Sequence, residues 1–278
     1  MEQHLTIEER VEQHYARRDL EKTILDALVA AGKDLDRLTS ADLAPVDEFH
    51  TGGREATIEF AVQLAFEPGT HVLDVGCGIG GASRFLAEQY GCRVTGIDIT
   101  SDFIRVAEAL ARRIGLGERV TYRRASALAL PFEPGAFDGA YMMHVGMNIA
   151  DKPKLFAEVR RVLKGGGVFG VYDVVHTGNG ELGFPLPCAL TPDISFVAGL
   201  PDYRQALAAA GFEITHERNR LDVARAFFRR EMARAATDGP APLGIHILLK
   251  EPPRILANVV NQFENGVLAP FELICRAR

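Results

Sequence analysis

A chain of 278 residues, 47% hydrophobic and 24% charged, carries enough apolar side chains for one large core and too many for a disordered polymer. Its net charge of −6 argues against a partner held by phosphate neutralisation, so no nucleic-acid partner is expected. No run of about 18 apolar residues exists to span a bilayer, so no membrane association is expected either.

The start, Met1-Glu2-Gln3-His4, is polar and does not read as a signal peptide. The four cysteines, Cys77, Cys92, Cys188 and Cys275, are scattered without metal-type spacing, and the histidines form no pair on one helix face. The expectation is a cytoplasmic protein without a metal site.

Ile7, Val11, Tyr15, Ile24, Leu25, Leu28 and Val29 recur at helical spacing, which predicts a helix over 7–31 ended by Gly32. Leu38 to Pro45 reads as a short turn or helix, 47–53 as a loop and 54–66 as a helix. From His71 the pattern changes to short apolar runs at 71–76, 92–98, 119–125, 137–143 and 167–175, with helices at 81–90, 101–115 and 152–164 between them. Apolar strands alternating with helices call for a parallel sheet covered on both faces. After Val175 come a long loop over 177–200, a helix at 201–210, a strand at 212–219, helices at 221–236 and 251–265, and a last strand at 270–276. The fold class is therefore α/β: a Rossmann-like, doubly wound, mostly parallel seven-stranded sheet with a helical N-terminal cap. Residues 1–67 form the cap or lid, and 68–278 the Rossmann-like domain with cap insertions near 177–200 and 221–265.

The segment Val72-Leu73-Asp74-Val75-Gly76-Cys77-Gly78-Ile79-Gly80-Gly81 is a strand, a glycine turn and a helix start, the cradle of an adenosine cofactor. Gly76, Gly78 and Gly81 match the Gly-x-Gly-x-x-Gly of nicotinamide and flavin enzymes, so a NAD(P)-dependent oxidoreductase is one reading. Asp74 points elsewhere. A carboxylate just before the turn opposes a pyrophosphate but favours the ammonium on the methionine tail of S-adenosyl-L-methionine. Asp98 closes the second strand, where an acid accepts both ribose hydroxyls of any adenosine cofactor. Ile99 beside it suits the adenine face.

Val72–Gly81, taken with Gly96–Asp98, Ala127–Phe132, Phe137–Asp138 and the turn Leu163-Lys164-Gly165-Gly166-Gly167, resembles a class I S-adenosylmethionine-dependent methyltransferase. The likeness runs in order from about residue 50 to 175. It is nearest to small-molecule enzymes such as the phosphoethanolamine and glycine/sarcosine N-methyltransferases, whose Thr-Gly-Gly is matched by Thr51-Gly52-Gly53. The resemblance implies that Thr51 and Gly52 touch the carboxylate end of the cofactor, that Gly76, Cys77 and Gly78 cradle it, and that the N-terminal helix is a lid. It also implies a small-molecule acceptor, methylated on nitrogen or oxygen. Two positions depart from the pattern. Ser126 stands where the family has an acid for the adenine amino group, which shifts adenine recognition toward the backbone of Ala127. In the loop after the fourth strand Asn148, which cannot take a proton, stands nearer the family's catalytic histidine than His144 does. These departures keep a third reading open, a non-catalytic relative that retains the cofactor fold.

The candidate bases are His144, in that loop, and His50, before Thr51, each with a core histidine as the alternative. His176 is a further candidate, and Tyr15 is placed to close over the site or to pack in the core. Met142, Met143 and Met147 suit an adaptable apolar lining or plain core. Arg54 and Arg204 are the cations available to a phosphate-bearing acceptor. No motif names the acceptor or the oligomeric state.

Overall fold

The buried run Val72–Val75 sets the architecture, because a strand apolar on both faces has to be flanked by strands and covered by helices. In the computed structural model, which describes residues 5–239 and 241–278, it forms β1 (His71–Val75). Four helices precede it: α1 (Ile7–Tyr15), α2 (Leu20–Ala30), α3 (Ser40–Asp47) and α4 (Gly53–Leu64). After it come α5 (Gly81–Tyr90), β2 (Arg93–Asp98), α6 (Ser101–Arg113), β3 (Val120–Arg124), β4 (Phe137–Met143), α7 (Lys152–Val162) and β5 (Leu163–His176). The chain ends with α8 (Leu200–Ala209), β6 (Phe212–Asn219), α9 (Leu221–Asp238), α10 (Pro252–Glu264) and β7 (Leu268–Ala277).

The seven strands lie in the order β3-β2-β1-β4-β5-β7-β6. All pairs are parallel except the two made by β7, which runs antiparallel between β5 and β6. Strand order reverses between β1 and β4, and a crevice opens outside the carboxyl ends of strands at such a switch point. One face packs Phe137, Phe169 and Leu207 against Phe156 and Val159 of α7. The other sets Tyr141 and Tyr172 against Phe60 and Leu64 of α4 and Leu86 of α5. Leu20, Ile24 and Leu28 of α2 and Leu43 and Val46 of α3 pack on Phe103, Val106 and Leu110 of α6. Val259 and Phe263 of α10 cover Val174, Leu186 and Leu268. No helix among the described residues is long and apolar enough to cross a membrane.

Three local expectations change. The helix expected over 7–31 breaks after Tyr15: the Arg17 amide leaves the helix to donate to Asp102 Oδ2 at 3.0 Å, and Asp19 takes a left-handed φ of 53°. The stretch read as ending at Pro45 runs on as α3 to Asp47, which makes a buried 2.5 Å ion pair with Arg84 of α5. The glycine run 165–167, read as a turn, lies within β5, because Leu163 already pairs with Phe137 and the register shifts between Phe137 and Gly139.

Candidate cofactor and acceptor site

A cavity of about 420 Å³ opens at the carboxyl ends of β1 and β4, beneath α1 and beside α10. Its floor is the glycine turn. The amides of Gly76 and Cys77 both donate to Ile97 O at 2.8 Å, which closes the turn against β2. Gly76 has φ +74°, and a side chain there would strike Val145. Gly78, at φ +54°, has nothing within 4 Å of where a Cβ would stand, so its backbone faces open space. Helix α5 starts three residues later at Gly81 and directs its first amides the same way.

Two acids stand at this turn. Asp98 accepts from the Gly78 amide at 3.0 Å through Oδ2 and from the Thr100 amide at 2.8 Å through Oδ1, and burial holds its carboxyl above the usual range. Asp74 accepts from Ser83 Oγ at 2.6 Å and Tyr141 Oη at 2.7 Å, and burial pushes it up to about 6. A cation beside Asp74 would hold it ionised. No lysine or arginine among the described residues lines the cavity; the nearby Arg84 is held by Asp47 and by Ile79 O at 2.7 Å. An ammonium-bearing adenosine cofactor therefore fits these residues, whereas a pyrophosphate would meet two acids and no cation.

Of the residues expected to hold the cofactor, Thr51, Asp74, Gly76, Cys77, Gly78, Asp98, Ile99 and Ala127 line this one cavity. Gly52 and Ser126 do not. Gly52 serves the backbone, capping α4 with φ +90°, and Thr51 O accepts from the Tyr172 hydroxyl at 2.8 Å. Ser126 turns its hydroxyl to the Glu8 carboxylate of α1 and accepts from the Leu128 amide at 3.0 Å, so Glu8 rather than Ser126 reaches the cavity wall.

The two candidate bases also line it, in different states. His50 is pinned: its Nε2 lies 2.9 Å from both Glu48 Oε2 and Thr57 Oγ1. Glu48 is in turn paired with Arg54 Nε at 2.7 Å. His144 sits at φ 56°, and its buried Nε2 has no hydrogen-bond partner. Burial, with His50 nearby, holds its pKa well below the ordinary histidine value, so the ring is neutral at pH 7. Its ring centroid stands 5.9 Å from that of His50 and 5.2 Å from that of Tyr172. Tyr15 donates to Asn148 Oδ1 at 3.0 Å, and Asn148 Nδ2 to Cys188 O at 2.9 Å, so Asn148 ties α1 to the loop that carries Cys188. Met143 and Met147 line the cavity; Met142 is buried away from it. His176 points out to Gly180 O at 3.0 Å, and Arg204 is paired with Glu217 at 2.8 Å on the surface.

The profile of one family, described as a methyltransferase domain, matches residues 73–171. The chain carries a methyltransferase domain. The matched stretch runs from β1 into β5, so it contains the glycine turn, Asp98 and His144. Within the curated proteins the chain is 36% identical over 160 residues to the sterol 24-C-methyltransferase of Eremothecium gossypii, covering 55% of this chain and 43% of that protein. It is 33% identical over 190 residues to phosphoethanolamine N-methyltransferase 3 of Arabidopsis thaliana, covering 66% and 36%. The chain thus spans less than half the length of these relatives. Beyond the methyltransferase domain, the whole chain superposes on the crystal structure of the cyclase SpnF with a TM-score of 0.70 and 26% identity, covering 98% of this chain and 97% of that one. The nicotinamide reading finds no support in these likenesses.

Sequence reasoning missed Asp47, Glu48 and Glu8. Asp47 and Glu48 were read as loop, although two acids just before His50 are a signal for a charged partner. Glu8 carried no motif and is brought to Ser126 only by the docking of α1.

Proposed function

We propose that this chain transfers a methyl group from S-adenosylmethionine to a small-molecule acceptor held beside His144. One observation carries this reading: His144, whose buried Nε2 has no hydrogen-bond partner, lines the same cavity as Gly78 and Asp98. When bound, the cofactor supplies an already activated methyl on a sulfonium. The protein's remaining work is to hold, orient and exclude water. Asp98 is assigned to the ribose, with Gly78 letting the backbone come close. Asp74 and Thr51 are assigned to the methionine tail, Ile99 and Ala127 to the adenine, and the N-terminal helices, within residues 1–67, to the lid.

His144 is the base. Its neutral Nε2 takes the proton of an acceptor hydroxyl as the methyl bond forms, and it needs no other partner because none is present. His50 acts as a positioning residue, since Glu48 and Thr57 fix it and its ring edge backs His144. The four cysteines are all unpaired, which supports a reducing compartment such as the cytoplasm. The test is to incubate the protein with labelled S-adenosylmethionine and a metabolite extract; a labelled small molecule is expected, and cofactor binding without any labelled product overturns the reading.

The full-length likeness to a cyclase favours one second reading, in which the same cavity folds an apolar substrate that rearranges without gaining a methyl. The two part on product mass: an isomer of the substrate with the cofactor unspent supports cyclisation alone.

A further inference from the structure

Resting on the methyl-transfer reading, we infer that the acceptor is an apolar molecule without phosphate or carboxylate, whose one hydroxyl meets His144. The cavity has two unlike ends. The cofactor end holds the backbone cradle and the acids. Past Asn148 the wall is Leu186, Phe228, Leu248, Val259, Phe263 and Leu268, contributed by α9, α10, β7, the loop between β5 and α8 and the segment between α9 and α10. Such a wall returns hydration free energy only to apolar surface.

Charge narrows the class further. The ionisable side chains lining the cavity are, among the described residues, Glu8, Asp47, Asp74, Asp98 and Asp151 with two histidines, Tyr15 and two cysteines aside. No cation faces inward, and those on the surrounding elements are already engaged. Arg17 donates to the carbonyls of His14 and Leu248, Arg54 pairs with Glu48, Arg10 with Asp193, and Arg225 donates to the carbonyls of Phe263 and Glu264. A phosphate or carboxylate buried here would be stripped of water, left without a counter-charge and set in the field of several acids. Of the lining side chains, Asp47 Oδ2 and His144 Nε2 lack a hydrogen-bond partner; Asp47 is already paired with Arg84, which leaves His144 to take one donor from the acceptor. The arrangement selects a greasy molecule with one hydroxyl, and it separates this chain from a relative acting on phosphoethanolamine.

Three probes sharing one carbon chain test this: geraniol, its methyl ether and geranyl diphosphate. Each is titrated by calorimetry into the protein loaded with sinefungin, an analogue that keeps the cofactor's positive charge, so the readout is binding and not turnover. Geraniol is expected to bind at least ~100-fold tighter than the diphosphate, on the scale of an uncompensated buried charge. It is expected to bind about tenfold tighter than the methyl ether, which cannot donate to His144. Equal or tighter binding of the diphosphate overturns the charge argument, and equal binding of alcohol and ether overturns the hydroxyl. Sinefungin binding with no geraniol binding overturns the apolar class, whereas failure of sinefungin itself to bind brings down the methyl-transfer reading beneath it.

Discussion

Replacing His144 by asparagine removes the proposed base with the least damage to its surroundings. The residue sits at φ 56°, where alanine would be strained by about 1–2 kcal/mol and asparagine is tolerated. The imidazole is flanked by His50 at 5.9 Å and Tyr172 at 5.2 Å, and the shorter amide leaves a small gap there, on the order of 1 kcal/mol. Cofactor residues are untouched, so the dissociation constant for S-adenosylhomocysteine should stay within a factor of two. Loss of a positioned general base costs roughly 10²–10⁴ in rate, or about 3–5 kcal/mol in the barrier. The assay is a single turnover with the acceptor found by labelling, beside calorimetry and a urea melt of the same variant. Turnover within about threefold of the parent, with fold and cofactor affinity intact, would refute the assignment and leave His144 structural. The pH behaviour is a second check. Because burial holds the pKa of His144 low, the base stays neutral below the ordinary histidine value, and the acid limb of kcat/KM should lie lower than an exposed histidine would give. The same depression means the unfolded chain takes up this proton first, so its contribution to stability is full above the unfolded value, about 6.5, and fades as pH falls toward the folded one.

Four further outcomes are open to measurement. Asp98→Ala frees the Gly78 and Thr100 amides as well as the ribose site, so cofactor affinity should fall by about 10–100-fold; an unchanged dissociation constant contradicts the ribose assignment. Asp74 is pushed up to about 6 by burial and must be ionised to face an ammonium, so affinity should weaken as pH falls through that value, approaching about tenfold per unit, and Asp74→Asn should flatten the dependence. Gly78→Ala meets no protein atom but projects a methyl into the cradle, so calorimetry should show lost cofactor affinity with little beyond the φ strain in a urea melt; the opposite pattern would place the cofactor elsewhere. Asp47→Ala strands Arg84 fully buried, and a loss of about 3–5 kcal/mol is expected in denaturant unfolding; a loss below about 1 kcal/mol would show that the pair is dispensable.

The sheet was legible because its signals are local. Val72–Val75 and Phe137–Met143 are mostly apolar runs, the first closed by Gly76 and the second preceded by the turn at Gly135, which is the pattern of a strand buried on both faces. The glycine turn was legible for the same reason: Gly76 and Gly78 need positive φ, and Asp98 ends the neighbouring strand. What escaped reading depends on contacts distant in sequence. Nothing near Ser126 announces that Glu8, 118 positions earlier, comes down on its hydroxyl. Nothing near Tyr15 shows that the chain leaves its helix because Asp102 captures the Arg17 amide. His50 and His144 looked alike as lone histidines; only the packing makes one pinned and the other free. The acceptor wall was illegible for a like reason, since leucines and phenylalanines of α9 and α10 spell core in any sequence until the fold leaves a space beside them.

The same packing says how an acceptor enters. Ile7, Glu8, Val11 and Tyr15 of α1 line the cavity, so this helix lies across it. Little apolar surface holds it there: Val11 is its one buried aliphatic side chain, while Ile7 is 44% exposed. Its remaining ties are mostly polar: Glu12 to Arg124 at 2.7 Å and to Ser101 at 3.0 Å, Arg10 to Asp193, Glu8 to Ser126, His14 to Pro187 O at 2.9 Å and Tyr15 to Asn148. The exposed ones, Glu12 to Arg124 and Glu8 to Ser126, contribute about 0–1 kcal/mol each, and the part-buried hydrogen bonds about 0.5–1.5 kcal/mol each. Helix α2, by contrast, buries Leu20, Ile24 and Leu28, at roughly 1.5–3 kcal/mol apiece. The break at residues 16–19 uncouples the two helices, so α1 can lift while α2 stays. Amide exchange should then show α1 opening several kcal/mol below α2, with sinefungin slowing α1 and leaving α2 unchanged. If both helices exchange with one free energy, the cap moves as a unit and the acceptor must enter between α9 and α10 instead.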